Sequence, residues 1–266
     1  MYDSFNRKIN YLRISVTDRC NFRCTYCMPE EGVPLMSHHD ILSFDEIVEL
    51  TRLAVSKGID KVRITGGEPL VRKGIVSLVK MLADIDGIKD LSMTTNGALL
   101  PKFAYDLKNA GLNRVNISLD AMDSQRFSEI TRSGNLDEVL KGIDSADEAG
   151  LLPIKLNCVI KENSLEKDAL AVKAFAEKRG FQVRFIHEMS LADGSFSVVE
   201  GGEGGHCGIC NRLRLSADGQ LFPCLFSDIG YSIRELGGEE ALNLALKNKP
   251  KSGTTSVGHE FYNIGG

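Results

Sequence analysis

The stretch YLRISVTDRCNFRCTYC runs from Tyr11 to Cys27. Its first part, YLRISV (11–16), is a β-like run. Its second part spaces Cys20, Cys24 and Cys27 as C-x3-C-x2-C. A strand that hands three thiols to the loop at its C-terminal end sets the pattern for the rest of the chain.

Outward from this stretch, short β-like runs alternate with helical ones. FDEIVELTRLAVSKG (44–58) puts Phe44, Ile47, Val48, Thr51, Ala54 and Val55 on one face, with Ser43 as N-cap and Gly58 after its end. KVRIT (61–65) is a strand closed by GGEP. Helices are expected at 75–84, 101–111, 124–131, 136–149 and 165–180, and strands at 91–95, 114–120, 153–160 and 182–189. Six strands with helices between them predict an α/β fold with a parallel sheet and right-handed crossovers, the layout of a TIM-type (β/α)6 barrel, partial or closed. Ligands of such folds gather at the C-terminal ends of the strands. The cysteine loop, GGEP, Asn96-Gly97, Ser118 and Asp120 all fall there. After Met189 the chain turns Gly- and Ser-rich, then carries a compact cysteine module at 207–226, a helical stretch at 233–248 and an extended tail. The expected division is a barrel over 1–189 and a C-terminal cysteine-rich module over 190–266.

The chain has 266 residues, 42% hydrophobic and 26% charged, with a net charge of −4. That balance excludes a general nucleic-acid-binding role, so any anionic ligand needs a local basic cluster. No apolar run approaches ~20 residues, no membrane span is expected, and the N-terminal stretch has no signal-peptide layout. The expected compartment is the cytoplasm. Its reducing conditions argue against a disulfide framework for the seven cysteines. Six of them form two trios; Cys158, in an apolar run, reads as a buried core thiol.

Three close thiolates can wrap one metal cluster, and thiolates suit iron–sulfur centres and zinc. The first trio favours iron–sulfur over a zinc site with a distant fourth ligand. The second trio, Cys207, Cys210 and Cys224, is spaced C-x2-C-x13-C. Read alone it also fits a zinc knuckle completed by His206 or His259. Between its cysteines, Arg212 and Arg214 alternate with Leu213 and share a side if extended. They are either a solvated pair or a clamp for an anion. Arg13, Lys61, Arg63, Lys155 and Arg184 also sit in strands, where an anion inside the barrel would account for them; triphosphate is the natural candidate.

The combination resembles the GTP 3',8-cyclase family of radical S-adenosylmethionine (SAM) enzymes, which opens molybdenum cofactor synthesis. The matching stretches are LRISVTDRCNFRCTYCMP, RITGGEPL, TTNG, ISLDA, CNRLRLSADGQLFPCLF and the terminal IGG. The resemblance implies two [4Fe–4S] clusters, on Cys20, Cys24 and Cys27 and on Cys207, Cys210 and Cys224. The first would reduce SAM to a 5'-deoxyadenosyl radical that takes the 3' hydrogen of GTP; the ribose radical then attacks C8. The second would leave one iron open to the guanine edge. Tyr26, Gly66, Gly67, Glu68, Ser118 and Met189 would contact SAM. Arg13, Lys61, Arg63, Thr94, Lys155, Arg184, Arg212 and Arg214 would contact GTP. Arg212, Arg214 and the tail glycines Gly265 and Gly266 would act in catalysis. The resemblance further implies an external electron donor, a homodimer as one arrangement, and a downstream enzyme forming the cyclic pyranopterin. One departure stands out: the family carries a much longer segment between the positions of Met189 and Cys207. That departure keeps open a different nucleotide or a peptide as substrate. A zinc-stabilised nucleotide-binding module is the non-catalytic alternative.

Overall fold

The computed structural model describes residues 1–189 and 197–253. Five β/α units and a sixth strand come first: β1 (Tyr11–Ser15), α1 (Phe44–Ser56), β2 (Lys61–Thr65), α2 (Ile75–Ala83), β3 (Asp90–Thr95), α3 (Leu100–Asn109), β4 (Arg114–Ser118), α4 (Ser124–Thr131), α5 (Leu136–Glu148), β5 (Lys155–Ile160), α6 (Lys167–Arg179) and β6 (Gln182–His187). They follow the expected positions closely. Ser43 caps α1 in a reciprocal capping box with Glu46, which satisfies two otherwise orphaned N–H groups.

The sheet runs β6-β5-β4-β3-β2-β1 and is parallel throughout that part. Strand alternation splits its side chains cleanly. Leu12, Ile14, Val62, Ile64, Leu91, Met93, Val115, Ile117, Leu156 and Cys158 are fully buried and join the helices in one core cluster. Each such burial contributes roughly 1.5–3 kcal/mol. Cys158 is thus the core thiol that its apolar setting predicts. The opposite face carries Arg13, Arg63, Ser92, Arg114, Asn116 and Lys155 in register across five strands.

The sheet does not stop at the expected boundary near residue 189. β7 (Arg212–Leu215) pairs in parallel with β1, and β8 (Gln220–Phe222) and β9 (Tyr231–Ser232) add antiparallel beyond it. The second cysteine module therefore grows out of the barrel wall itself. The 233–248 helix is two pieces, α7 (Ile233–Leu236) and α8 (Gly238–Lys247), broken at Gly237, whose φ of 78° only glycine adopts readily.

The sheet curls. β6 and β7 stand six places apart, which in a flat sheet would separate them by roughly 29 Å. Yet Ile186 and His187 of β6 border the same cavity as Arg212 and Arg214 of β7. The end strands β6 and β9 do not pair, so the barrel stays open. Residues 197–206 of the Gly-rich link lie on the β6 side of the gap. Glu200 bridges to Phe185 through two backbone hydrogen bonds, and Val199 N–H closes a turn on the Gly204 carbonyl. The tail positions Gly265 and Gly266, and His259, lie outside the described residues.

Candidate active site

Two cavities open at the C-terminal ends of the strands. The first has a volume of about 240 Å³. Cys20, Cys24, Tyr26 and Cys27 border it from the loop after β1, Gly66 and Gly67 from the loop after β2, and Thr94, Ser118 and Met189 from the ends of β3, β4 and β6. The residues assigned to SAM thus meet in one place, except Glu68.

Glu68 turns into the protein, 1% exposed. Its carboxylate accepts hydrogen bonds from Leu70 N–H, Thr95 Oγ1 and Asn96 N–H, and so ties the loop after β2 to the end of β3. The two glycines before it are dictated by contact with the cysteine loop. Gly67 N–H donates to the Thr17 carbonyl at 2.7 Å, and Glu68 N–H to the Arg19 carbonyl at 2.8 Å. A Cβ on Gly67 would stand 2.4 Å from the Arg19 oxygen; Gly66 has a φ of 149° and the Thr17 oxygen 2.6 Å from where its Cβ would be. With its N–H spent, Gly67 can meet a ligand only through its carbonyl. Tyr26 is committed as well: its hydroxyl donates to Asp120 Oδ2 at 2.8 Å, while Asp120 Oδ1 accepts from Val159 N–H. The sequence marks Asp120 only as a strand-end residue; its role as anchor of the cysteine loop emerges from the fold.

The second cavity, about 150 Å³, is bordered by Cys207, Cys210 and Cys224 together with Arg13, Arg212, Arg214 and Lys249. It shares Ile186, His187 and Met189 with the first, so the two adjoin at the end of β6. Lys61, Arg63, Lys155 and Arg184 border neither cavity. Arg63 lies deeper on the inner face, stacked over the Tyr11 ring and near Ser92.

The electrostatics of that face are lopsided. Burial, then the charges of Arg214 and Arg63, hold the Arg13 guanidinium well below its ordinary pKa. Burial and Arg212 bring Arg214 down to about 10, and burial with Arg114 and Arg184 brings Arg63 to about 10. Lys155 falls to about 8 through burial and the charges of Arg184, Arg114 and Arg63. Arg114, which no sequence pattern singles out, is ion-paired with Asp90 at 2.6 Å. Tyr11 Oη, Ser15 Oγ, Thr94 Oγ1, Asn116 Nδ2, Asn157 Oδ1 and Arg184 Nε are buried there without a hydrogen-bond partner. A cluster of buried orphan polar atoms beside mutually repelling cations marks a face built for a polar, anionic occupant.

A family model for the radical SAM superfamily matches residues 14–175. A GTP 3',8-cyclase of Thermodesulfovibrio yellowstonii is 45% identical over 286 aligned positions, covering 89% of this chain and 88% of its own length. One of Peptoclostridium acidaminophilum is 40% identical over 321 positions, covering 100% of this chain and 98% of its own. The chain belongs to the GTP 3',8-cyclase family of radical SAM enzymes. In fold it is similar to SuiB of Streptococcus suis solved with its precursor peptide SuiA, with a TM-score of 0.70 and 15% identity, over 91% of this chain and 66% of that one. The SAM-bound form of SuiB gives a TM-score of 0.67.

A radical SAM enzyme needs SAM and an iron–sulfur cluster, and the first cavity fits both. Its three thiols share one wall, and burial pushes Cys20 up to about 11, Cys24 up to about 12, and Cys27 upward as well. These are neutral thiols until metal displaces their protons. The second trio differs. Burial works to raise the Cys210 thiol, but the Lys249 ammonium, an N–H from Arg212 and two guanidiniums outweigh it, and the pKa falls. With Cys207 and Cys224 on the same cavity wall, a thiol biased toward thiolate also suits a metal cluster. Among the described residues no three His, Cys, Asp or Glu side chains converge tightly enough for a single metal ion. The departure in length is also measurable: 321 aligned positions against 266 residues leave about 55 without a counterpart here. No helix among the described residues is long and apolar enough to cross a membrane.

Proposed function

We propose that this chain cyclises GTP to 3',8-cyclo-7,8-dihydro-GTP, the first step of molybdenum cofactor biosynthesis, with SAM and an external electron donor. The observation that carries this reading is the adjacency of the two thiol-lined cavities at the end of β6, with the basic inner face beside them. Two reactive centres that share a wall can address one substrate from both sides.

In this reading Cys20, Cys24 and Cys27 hold a [4Fe–4S] cluster, which when bound supplies the electron that cleaves SAM. The Gly67 carbonyl, Ser118, Met189 and the Tyr26 ring orient SAM; Gly66 keeps the loop close enough to do so. Cys207, Cys210 and Cys224 hold a second cluster beside the guanine. Arg13, Arg212 and Arg214 reach the substrate directly from the second cavity. Lys61, Arg63, Lys155 and Arg184 supply the positive field that draws the triphosphate inward, and Thr94 contributes a hydroxyl. The family resemblance assigns a catalytic role to Gly265 and Gly266, which lie outside the described residues. Thiolate trios suit iron–sulfur clusters, which favours them over the zinc-knuckle alternative. We place the enzyme in the cytoplasm, where reducing conditions keep thiols available to hold clusters.

The test is anaerobic reconstitution, followed by incubation of GTP deuterated at C3' with SAM and dithionite. The expected result is a cyclised product and deuterium in 5'-deoxyadenosine. A preparation holding two clusters that cleaves SAM but leaves GTP unchanged would move the reading to another nucleotide or a peptide. Zinc in place of iron and sulfide would move it to the binding-module alternative.

A further inference from the structure

Two buried cations, Arg7 and Lys249, hydrogen-bond the backbone of the segments that carry the second cysteine trio, and Arg7 is ion-paired. Arg7, 8% exposed, is ion-paired with Asp3 at 2.6 Å. Its other N–H groups donate to the carbonyls of Cys207, Pro250 and Lys251 at 2.6–3.0 Å. It fastens the root of the cysteine loop to the segment after α8, and its charge is balanced by Asp3.

Lys249 is 3% exposed. Its ammonium donates to the carbonyl of Arg212, two residues after Cys210, and to that of Pro223, next to Cys224, both at 2.7 Å. An ammonium has three donors. Lys249 shares a cavity wall with Cys210 and Cys224, and burial lowers its pKa while the charges of these two thiols act to raise it. No carboxylate pairs with it among the described residues. A buried charge with no counter-charge costs several kcal/mol, so folds keep one only where an anion belongs beside it. The available anion is the thiolate set of the trio.

We infer that Lys249 is the counter-ion of the second thiol trio: it braces two of the three cysteine segments and raises the electron affinity of the cluster they hold. This rests on the two-cluster reading. The potential of an iron–sulfur cluster follows the charge around it, and Lys249 supplies a buried positive charge beside two of the cysteine segments. On the first trio the Arg23 guanidinium acts on Cys20 and donates to its carbonyl, but the carboxylates of Glu68 and Asp120 act on Cys20 and Cys24 in the opposite sense. The pair of clusters would then be electronically unequal, with the second the easier to reduce.

The test compares wild type, Lys249→Met and Lys249→Arg, reconstituted anaerobically, by iron and sulfide analysis and by redox titration followed by electron paramagnetic resonance. Each is also made with Cys20, Cys24 and Cys27 changed to Ala, so that the second cluster is seen alone. Wild type should hold about eight irons per chain; about four would remove the two-cluster reading, and this inference with it. Given two clusters, Lys249→Met should move the second midpoint to lower potential, and Lys249→Arg should restore it. An unchanged midpoint in Lys249→Met overturns the inference and leaves the two-cluster reading standing. If Lys249→Met loses the second cluster outright, recovery of iron in Lys249→Arg supports the charge, and failure to recover it overturns the charge in favour of packing alone.

Discussion

Glu68 receives three hydrogen bonds, yet burial outweighs them and pushes its pKa up to about 7. A raised acid binds its proton more tightly in the folded chain. The stability tied to it is therefore complete below the pKa of an unfolded glutamate, ~4.3, and is lost as pH rises through about 7. Asp120, raised to about 6 by burial, acts in the same sense. Glu46, brought down to about 2 chiefly by its hydrogen bonds from Arg234, acts oppositely and at lower pH. Metal-free Glu68→Gln should thus lose much of the decline in urea midpoint between pH 5 and 7, a term of roughly 3 kcal/mol at most. An unaltered slope would count against a buried, proton-binding Glu68. At the neighbouring anchor, Tyr26→Phe removes the donor to Asp120 and leaves a buried carboxylate with one partner fewer. We expect a stability loss of about 1–3 kcal/mol and weaker SAM binding, read by denaturation and equilibrium dialysis.

Loops, more than strands, set the first cavity. The GGEP loop and the root of the cysteine loop touch backbone to backbone, and Gly67 has no room for a methyl group. Gly67→Ala should push the two loops apart. The expected outcome is near-native circular dichroism with about half of the iron lost, because the sheet tolerates the shift and the thiols do not. Full iron loading in this variant would show that the close approach is dispensable. The helices and strands are readable from periodicity because each helix lays one apolar stripe on the sheet, as α1 does between its Ser43 cap and its end at Ser56. The inner-face pairing of Arg114 with Asp90 is not readable, since a strand arginine looks alike whether it is paired or waiting for a ligand.

At the scale of the molecule, the second trio hangs on the barrel edge through β7, and its loss should spare the rest. Changing Cys207, Cys210 and Cys224 to Ala should lower iron from about eight to about four per chain, preserve SAM cleavage, and abolish GTP cyclisation. Loss of SAM cleavage as well would mean that the two cavities are not separable.

The sequence by itself determined the chemistry: which side chains are soft ligands, which are cations, and which strands and loops carry them. Local pattern suffices for that, because alternation and loop position decide which face a residue takes. Only the tertiary structure decided what stands beside what. Arg7 lies 200 residues from Cys207, Tyr26 lies 94 from Asp120, and Lys249 lies 37 from Arg212. Those contacts exist because the sheet curls and β7 closes onto β1, a long-range pairing that no stretch of a few residues specifies.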